Sequence, residues 1–210
     1  MSQIKMNFDK LTKRNAKAFF ELYMAGKDAA IEALKQLSAA TGGPKANEFD
    51  HSIETLTPIW LWARDKIMMV KENAPDDKLP LWYNYEIRCN PHNTGIHFTP
   101  ESADLIDKLA YYYGDTLIKH IPETDWSIDP YINEFYYCKP VVRSEYFTSY
   151  PVRAIYGEAL LYIMSPEDPR SIPDALEKNV LRLIQREKDY RAYYQKNGGH
   201  DTAYKKATFD

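Results

Sequence analysis

The sequence predicts an α+β fold, mostly α, in which a helical core carries a small antiparallel sheet. Three observations lead there. Apolar residues recur at helical spacing over most of the chain. Shorter segments alternate, or are rich in aromatics, in the manner of strands. The 210 residues are 44% hydrophobic and 27% charged, which is the balance of a globular protein and excludes a rod or a wholly disordered chain. Length points to a single globular domain over residues 1–198, with a loose tail over 199–210.

The N-terminal helices are expected within 9–41. Leu11, Ala18, Phe19 and Leu22 recur at helical spacing up to Gly26, and Ile31, Leu34 and Leu37 share one face before Thr41-Gly42-Gly43-Pro44 ends the run. A mixed α/β core is expected over 50–164. Thr57 before Pro58 reads as an N-cap and a first-turn proline. The helix that follows places Leu56, Ile59, Trp60, Ala63, Ile67 and Val70 on one stripe. Leu61, Trp62, Met68 and Met69 occupy its other sides, so it is expected at the centre of the core.

After a polar loop over 73–80, Leu81, Tyr83, Tyr85 and Ile87 alternate with Trp82, Asn84, Glu86 and Arg88, the period of a half-buried strand. Asn90 to Gly95 reads as a turn, with Ile96–Phe98 as a return strand. Thr99-Pro100-Glu101 opens a long helix with Leu105, Ile106, Leu109, Ala110, Tyr113 and Leu117 on one face as far as Pro122. Phe135 to Cys138 is the expected strand of the aromatic stretch 126–142, and Pro140 assigns its end to a sheet edge. Pro151 opens a helix that buries Val152, Ile155, Tyr156, Ala159, Leu160 and Ile163. Ser171 caps the C-terminal helix, 172–197, with Leu176, Val180, Leu183, Ile184 and Tyr194 inward and Gly198-Gly199 as its stop.

Composition narrows function by exclusion. The net charge is −3, which gives no general affinity for nucleic acid. No signal-peptide pattern opens the chain and no apolar run approaches the ~20 residues of a membrane span. With only 2 Cys, a disulfide scaffold is not expected, and the reading is cytoplasmic, with no membrane association. A phosphate-cradling glycine loop, a dinucleotide fingerprint and a Gly-x-Ser-x-Gly elbow are all missing, so no cofactor and no catalytic residue is assigned. The nearest metal-like set is Cys89-x-x-His92 followed by His97, with His120 or Cys138 to complete it. It has one well-spaced pair where a structural zinc site uses two, so no metal is expected.

Two mid-helix glycines sit in matching surroundings, Tyr113-Gly114-Asp115 and Tyr156-Gly157-Glu158. Close approach of a neighbouring element is the expected reason for both. Asp115 and Glu158 are the acids on which an enzyme with a noncontiguous site would draw. Charge is also uneven: residues 1–177 hold 19 bases and 26 acids, and 178–210 hold 8 bases and 4 acids. The last helix interleaves Arg182, Arg186, Lys188, Arg191 and Lys196 with Tyr190, Tyr193 and Tyr194. Such a face can grip phosphates and stack bases, though basic residues also suit a helix C-terminus, and a solvated end is the favoured reading. Nucleic-acid binding through it would be weak.

Leu56-x-x-Ile59-Trp60-x-Trp62, the helix segment Leu109 to Asp115, and Trp126 followed by Lys139-Pro140-Val141-Val142 occur in that order. Over residues 50–145 this order resembles small uncharacterised bacterial cytoplasmic proteins, some of which look like immunity proteins of toxin–antitoxin competition systems. The resemblance implies a non-catalytic protein-binding role, with a basic toxin domain as the partner, and carries no catalytic residue. The expected contact residues are the loop acids Asp76, Asp77, Glu123, Asp125 and Glu134, with Trp82 and Trp126 as aromatic anchors.

Overall fold

A computed structural model describes residues 11–71, 79–80, 82–83, 96–130 and 138–197. Within them the fold is mostly helical with two small antiparallel sheets, as the sequence predicts. In chain order the elements are α1 (Lys13–Ala25), α2 (Lys27–Ala40), a 3-10 turn (Ala46–Glu48), α3 (Leu56–Arg64), β1 (Met69–Val70), β2 (His97–Phe98), α4 (Pro100–His120), β3 (Asp125–Ile128), β4 (Pro140–Arg143), β5 (Thr148–Ser149), α5 (Pro151–Met164) and α6 (Ala175–Asn197).

The hub is α4. Thr99 caps it, its side chain accepting from the Ser102 N–H, and Pro100 occupies the first turn, where a missing N–H costs nothing. Twelve of its residues are buried: Ser102, Ala103, Leu105, Ile106, Leu109, Ala110, Tyr111, Tyr112, Tyr113, Gly114, Thr116 and Leu117. A helix buried on so many sides has neighbours on several; α2 packs on one and α5 on another, while β3 and β4 also reach it.

Several boundaries and faces differ from expectation. On α1 the buried residues are Ala16, Phe19 and Tyr23, and Leu22 is 65% exposed; a tyrosine takes the inward place expected of leucine. On α2 Ser38 is buried and Leu37 is not. The core residues expected on α3, Leu56, Ile59, Trp60 and Ala63, are buried, as is Ile67 beyond its end. The helix itself starts at Leu56 with Thr55 at the cap position. Thr57 lies inside the first turn, and its hydroxyl donates to Glu177 of α6 at 2.6 Å. The helix stops at Arg64 because the chain is captured by the start of α4: the Met68 N–H donates to Ser102 Oγ at 2.8 Å, and the Thr99 N–H donates to the Met68 carbonyl. Met69 and Val70 then pair with Phe98 and His97, and Val70 leaves the core.

Of the strand expected from Leu81 to Arg88, Trp82 and Tyr83 are described; both are buried, and the Tyr83 N–H bonds back to the Pro80 carbonyl as in a turn. The expected strand over Phe135–Cys138 lies outside the described residues apart from Cys138, as do the Gly198-Gly199 stop and the tail. Pro140 needs a correction. It begins β4, the middle strand of the order β3-β4-β5, not an edge. It faces Ile128 of β3, and β5 reaches only Val142 and Arg143. Its missing N–H thus falls where no second neighbour would have used it. Finally, α6 begins at Ala175, not at 172.

Candidate functional site

Glu123 and Asp125 flank the turn into β3, and both are exposed. Glu123 has a backbone φ of +57°, a left-handed conformation uncommon for a glutamate. Its carboxylate accepts from Arg191 Nη2 of α6 at 3.1 Å. Arg191 also donates twice to Glu187 Oε1, at 3.0 and 2.8 Å. Glu187 is only 2% exposed, and a carboxylate so deep is retained where a cation meets it. The hydrogen bonds that Arg191 donates to Glu123 and Glu187 raise its guanidinium above its ordinary value.

Arg191 also lies over the Tyr146 ring, 5.0 Å from its centroid. Tyr146 stacks on Tyr194 at 6.0 Å, and Tyr194 meets Tyr193 edge-on at 5.3 Å and Tyr190 at 6.3 Å. Partial burial, then the Glu145 carboxylate, raises the Tyr146 hydroxyl above its ordinary value. The outer rings of this cluster are open: Tyr193 is 59% and Tyr190 38% exposed. Glu123 and the exposed Glu145 thus border a run of tyrosines at the C-terminal half of α6. Tyrosine is enriched at protein interfaces, whereas glutamate and aspartate are depleted from their cores and suit only the polar rim.

Trp82 and Trp126 do not form the aromatic edge expected of them. They are 2% and 8% exposed, and each indole N–H is spent on an interior acid. Trp126 Nε1 donates to Asp115 and Trp82 Nε1 to Asp107, both at 2.8 Å. The physical reason is that a buried indole needs a polar partner for its one donor, and α4 supplies both. Asp76, Asp77 and Glu134 lie outside the described residues.

Asp115 and Glu158 do not converge. Asp115 is held by Trp126 and by Lys27 Nζ at 2.6 Å, which joins α2, α4 and β3. Glu158 faces Arg182 of α6, and burial raises its carboxyl above the ordinary range against the pull of that guanidinium. On α6, Arg182, Arg186, Lys188 and Lys196 are exposed, with Arg186 over the Tyr190 ring at 5.2 Å. Arg191 is withdrawn from that basic face by its two glutamates. Of the metal-like set, Cys89 and His92 lie outside the described residues. His97 and His120 stand at opposite ends of the 21-residue α4, a span of about 30 Å, so they cannot share an ion.

Sequence reasoning missed Asp107. It lies between Asp104 and Lys108 on what reads as a solvated helix face, yet burial raises its carboxyl to about 7. The only signal was indirect: an aromatic-rich segment, around Trp82, with indoles in need of acceptors. Compared with protein-family models, with curated proteins and with solved structures, the chain shows no match.

Proposed function

We propose that this chain is a non-catalytic, cytoplasmic protein-binding protein of the bacterial immunity type, and that it meets a basic partner at the C-terminal half of α6. The observation that carries the reading is the pair of exposed tyrosines, Tyr190 and Tyr193, in a ring cluster with Tyr194 and Tyr146 that Glu123 and Glu145 border. Tyrosine supplies contact area at low entropic cost, and rim carboxylates steer an oppositely charged partner. The helix under them is fixed by Arg191, Glu187 and the Tyr146–Tyr194 stack, so the surface is preorganised. The immunity role itself comes from the sequence resemblance.

The test is affinity capture from the source organism with the wild-type chain, Tyr190→Ala/Tyr193→Ala, and Glu123→Lys/Glu145→Lys. The expected result is one basic protein, held by the wild type and lost with both double variants. Recovery of no protein, or recovery unaffected by either pair, overturns the reading.

Nucleic-acid binding is the second reading, favoured by the exposed Arg182, Arg186, Lys188 and Lys196. It differs in requiring the basic face, which the two double variants leave intact.

A further inference from the structure

His51 stands between the 3-10 turn and α3, and its backbone φ of +56° is left-handed, a conformation uncommon for residues other than glycine. The long helix α4 holds it there. The His51 N–H donates to the Tyr112 hydroxyl at 3.0 Å, and His120 Nε2 bonds the His51 carbonyl at 2.9 Å. Lys119 Nζ donates to the neighbouring Asp50 carbonyl at 2.6 Å. The imidazole stacks on the Tyr112 ring, with centroids 4.4 Å apart and planes 25° from parallel. Its Nδ1 is enclosed and has no hydrogen-bond partner. The Tyr112 carbonyl already accepts from the Thr116 hydroxyl, and the Asp115 carboxylate from Trp126 and Lys27. On either side of this segment the chain is anchored: Phe49 is buried edge-on against Tyr112, and Leu56 is buried at the start of α3.

We propose that the segment 50–55 is an acid-sensitive latch, which protonation of His51 releases from the C-terminal half of α4 while Phe49 and Leu56 stay in the core. The neutral ring, with its proton on Nε2, leaves only a lone pair at the enclosed Nδ1. The imidazolium carries an N–H at both nitrogens. Acid therefore puts a charged donor where no acceptor meets it, and an unpaired buried charge is costly. The groups around the ring set the balance. Burial holds it below its ordinary value; Asp115 of α4 and the Tyr112 backbone pull the other way, and Lys119 of α4 and Lys35 of α2 push it further down. Asp50 is exposed and its carboxylate accepts from the Ser52 N–H. The bond from His120 survives acid, because Nε2 faces a carbonyl and donates in either charge state. The latch is therefore closed above about pH 6.5, the value of a free imidazole, and loosens as pH falls below it. Release also relaxes the left-handed backbone. The proposal is independent of the surface on α6.

The test is amide hydrogen exchange of the full chain by NMR at about pH 7.5 and pH 5, each rate normalised to its intrinsic value. The His51 N–H reads the latch, and the N–H of the buried Leu109 reads opening of the core. In the wild type, protection at His51 should fall about 3- to 30-fold at the lower pH, the upper limit being the gain in proton binding by a free imidazole over that interval. Protection at Leu109 should change less than about 2-fold. His51→Asn, which accepts a left-handed backbone and does not titrate, should lose less than about 2-fold at residue 51. His120→Gln should keep the wild-type fall. Should His51→Asn not fold, titration of the wild type decides: the His51 ring must titrate below about 6.5, and its amide must lose protection as pH falls. The proposal is overturned by unchanged protection at His51 or an equal fall at Leu109. An equal fall in His51→Asn, loss of the fall in His120→Gln, or a His51 ring that titrates at or above about 6.5 overturns it too.

Discussion

Gly114 and Gly157 follow a tyrosine and precede an acid in adjacent core helices, yet they are glycine for different reasons. A Cβ on Gly114 would overlap the six-membered ring of Trp126, while a Cβ on Gly157 would meet nothing within 4 Å. The expected close approach holds at the first position and not at the second. Gly114→Ala should therefore destabilise by about 1–3 kcal/mol, since the indole is fixed by Asp115 and cannot retreat freely. Gly157→Ala should stabilise by about 0.5–1 kcal/mol, the helix penalty of glycine. Equilibrium denaturation of both variants checks the pair; equal losses would contradict it. Asp107 supports a second residue-scale prediction. Its folded carboxyl lies at about 7, against ~3.9 in an unfolded chain. The folded protein thus holds a proton that the unfolded chain gives up between those values. The stabilisation is complete below about pH 4 and is lost as pH rises through about 7. Asp107→Asn should match the wild type near pH 4 and exceed it by about 1–3 kcal/mol at pH 8. A stability difference that does not change between those pH values would contradict the assignment.

At the scale of elements, α3 joins the helical layers. Trp60 is 2% exposed, Thr57 reaches Glu177 on α6, and the chain beyond Arg64 docks on the start of α4. Trp60→Ala should cost about 3–5 kcal/mol, as expected for a buried indole; a loss under about 1 kcal/mol in denaturation would place it at the surface. Which elements were legible follows from what defines them. The start of α4 was readable because Thr99, Pro100 and Glu101 are local signals that act through the backbone of their own turn. The inward faces of α1 and α2 were misread because leucines were counted as core. In a chain with 17 Tyr, Tyr23 fills the place that Leu22 would otherwise take. The end of α3 depends on Ser102, and the middle position of β4 on strands from both sides. Those contacts are not local, and periodicity contains no trace of them. The site was less legible than the fold. Exposure of Glu123 and Asp125 was foreseeable from their loop. The acceptors of Trp82 and Trp126 were not, because Asp107 looks like an ordinary member of a solvated helix face and Asp115, though singled out beside Gly114, carries no local sign that an indole would meet it.

The molecule as a whole carries its charge asymmetrically, with 26 acids against 19 bases before residue 178 and 8 bases against 4 acids after it. The final helix stands at that junction. Its open side presents Arg182, Arg186 and Lys188, while Arg191 is turned back onto Glu187 and Glu123 and the exposed tyrosines adjoin those acids. A basic face that lacks Arg191 has few phosphate contacts to make. Nucleic-acid binding should therefore be weak and lose roughly 10-fold or more between 50 and 200 mM salt, as only a few counterions are released. Fluorescence anisotropy with a labelled oligonucleotide measures this. Tight binding at 150 mM salt that disappears in Arg182→Glu/Arg186→Glu would contradict it and move the function to that face.

The central claim is that tyrosines hold the partner and carboxylates steer it, and these two roles separate kinetically. The direct measurement is association and dissociation of the captured protein by surface plasmon resonance, across a series of salt concentrations. The account predicts that the association rate falls about 10-fold or more from 20 to 500 mM salt, and that Glu123→Lys/Glu145→Lys removes most of that dependence. It predicts that Tyr193→Ala speeds dissociation about 10-fold or more and leaves association nearly unchanged. An association rate indifferent to salt, together with wild-type dissociation from Tyr193→Ala, would contradict it.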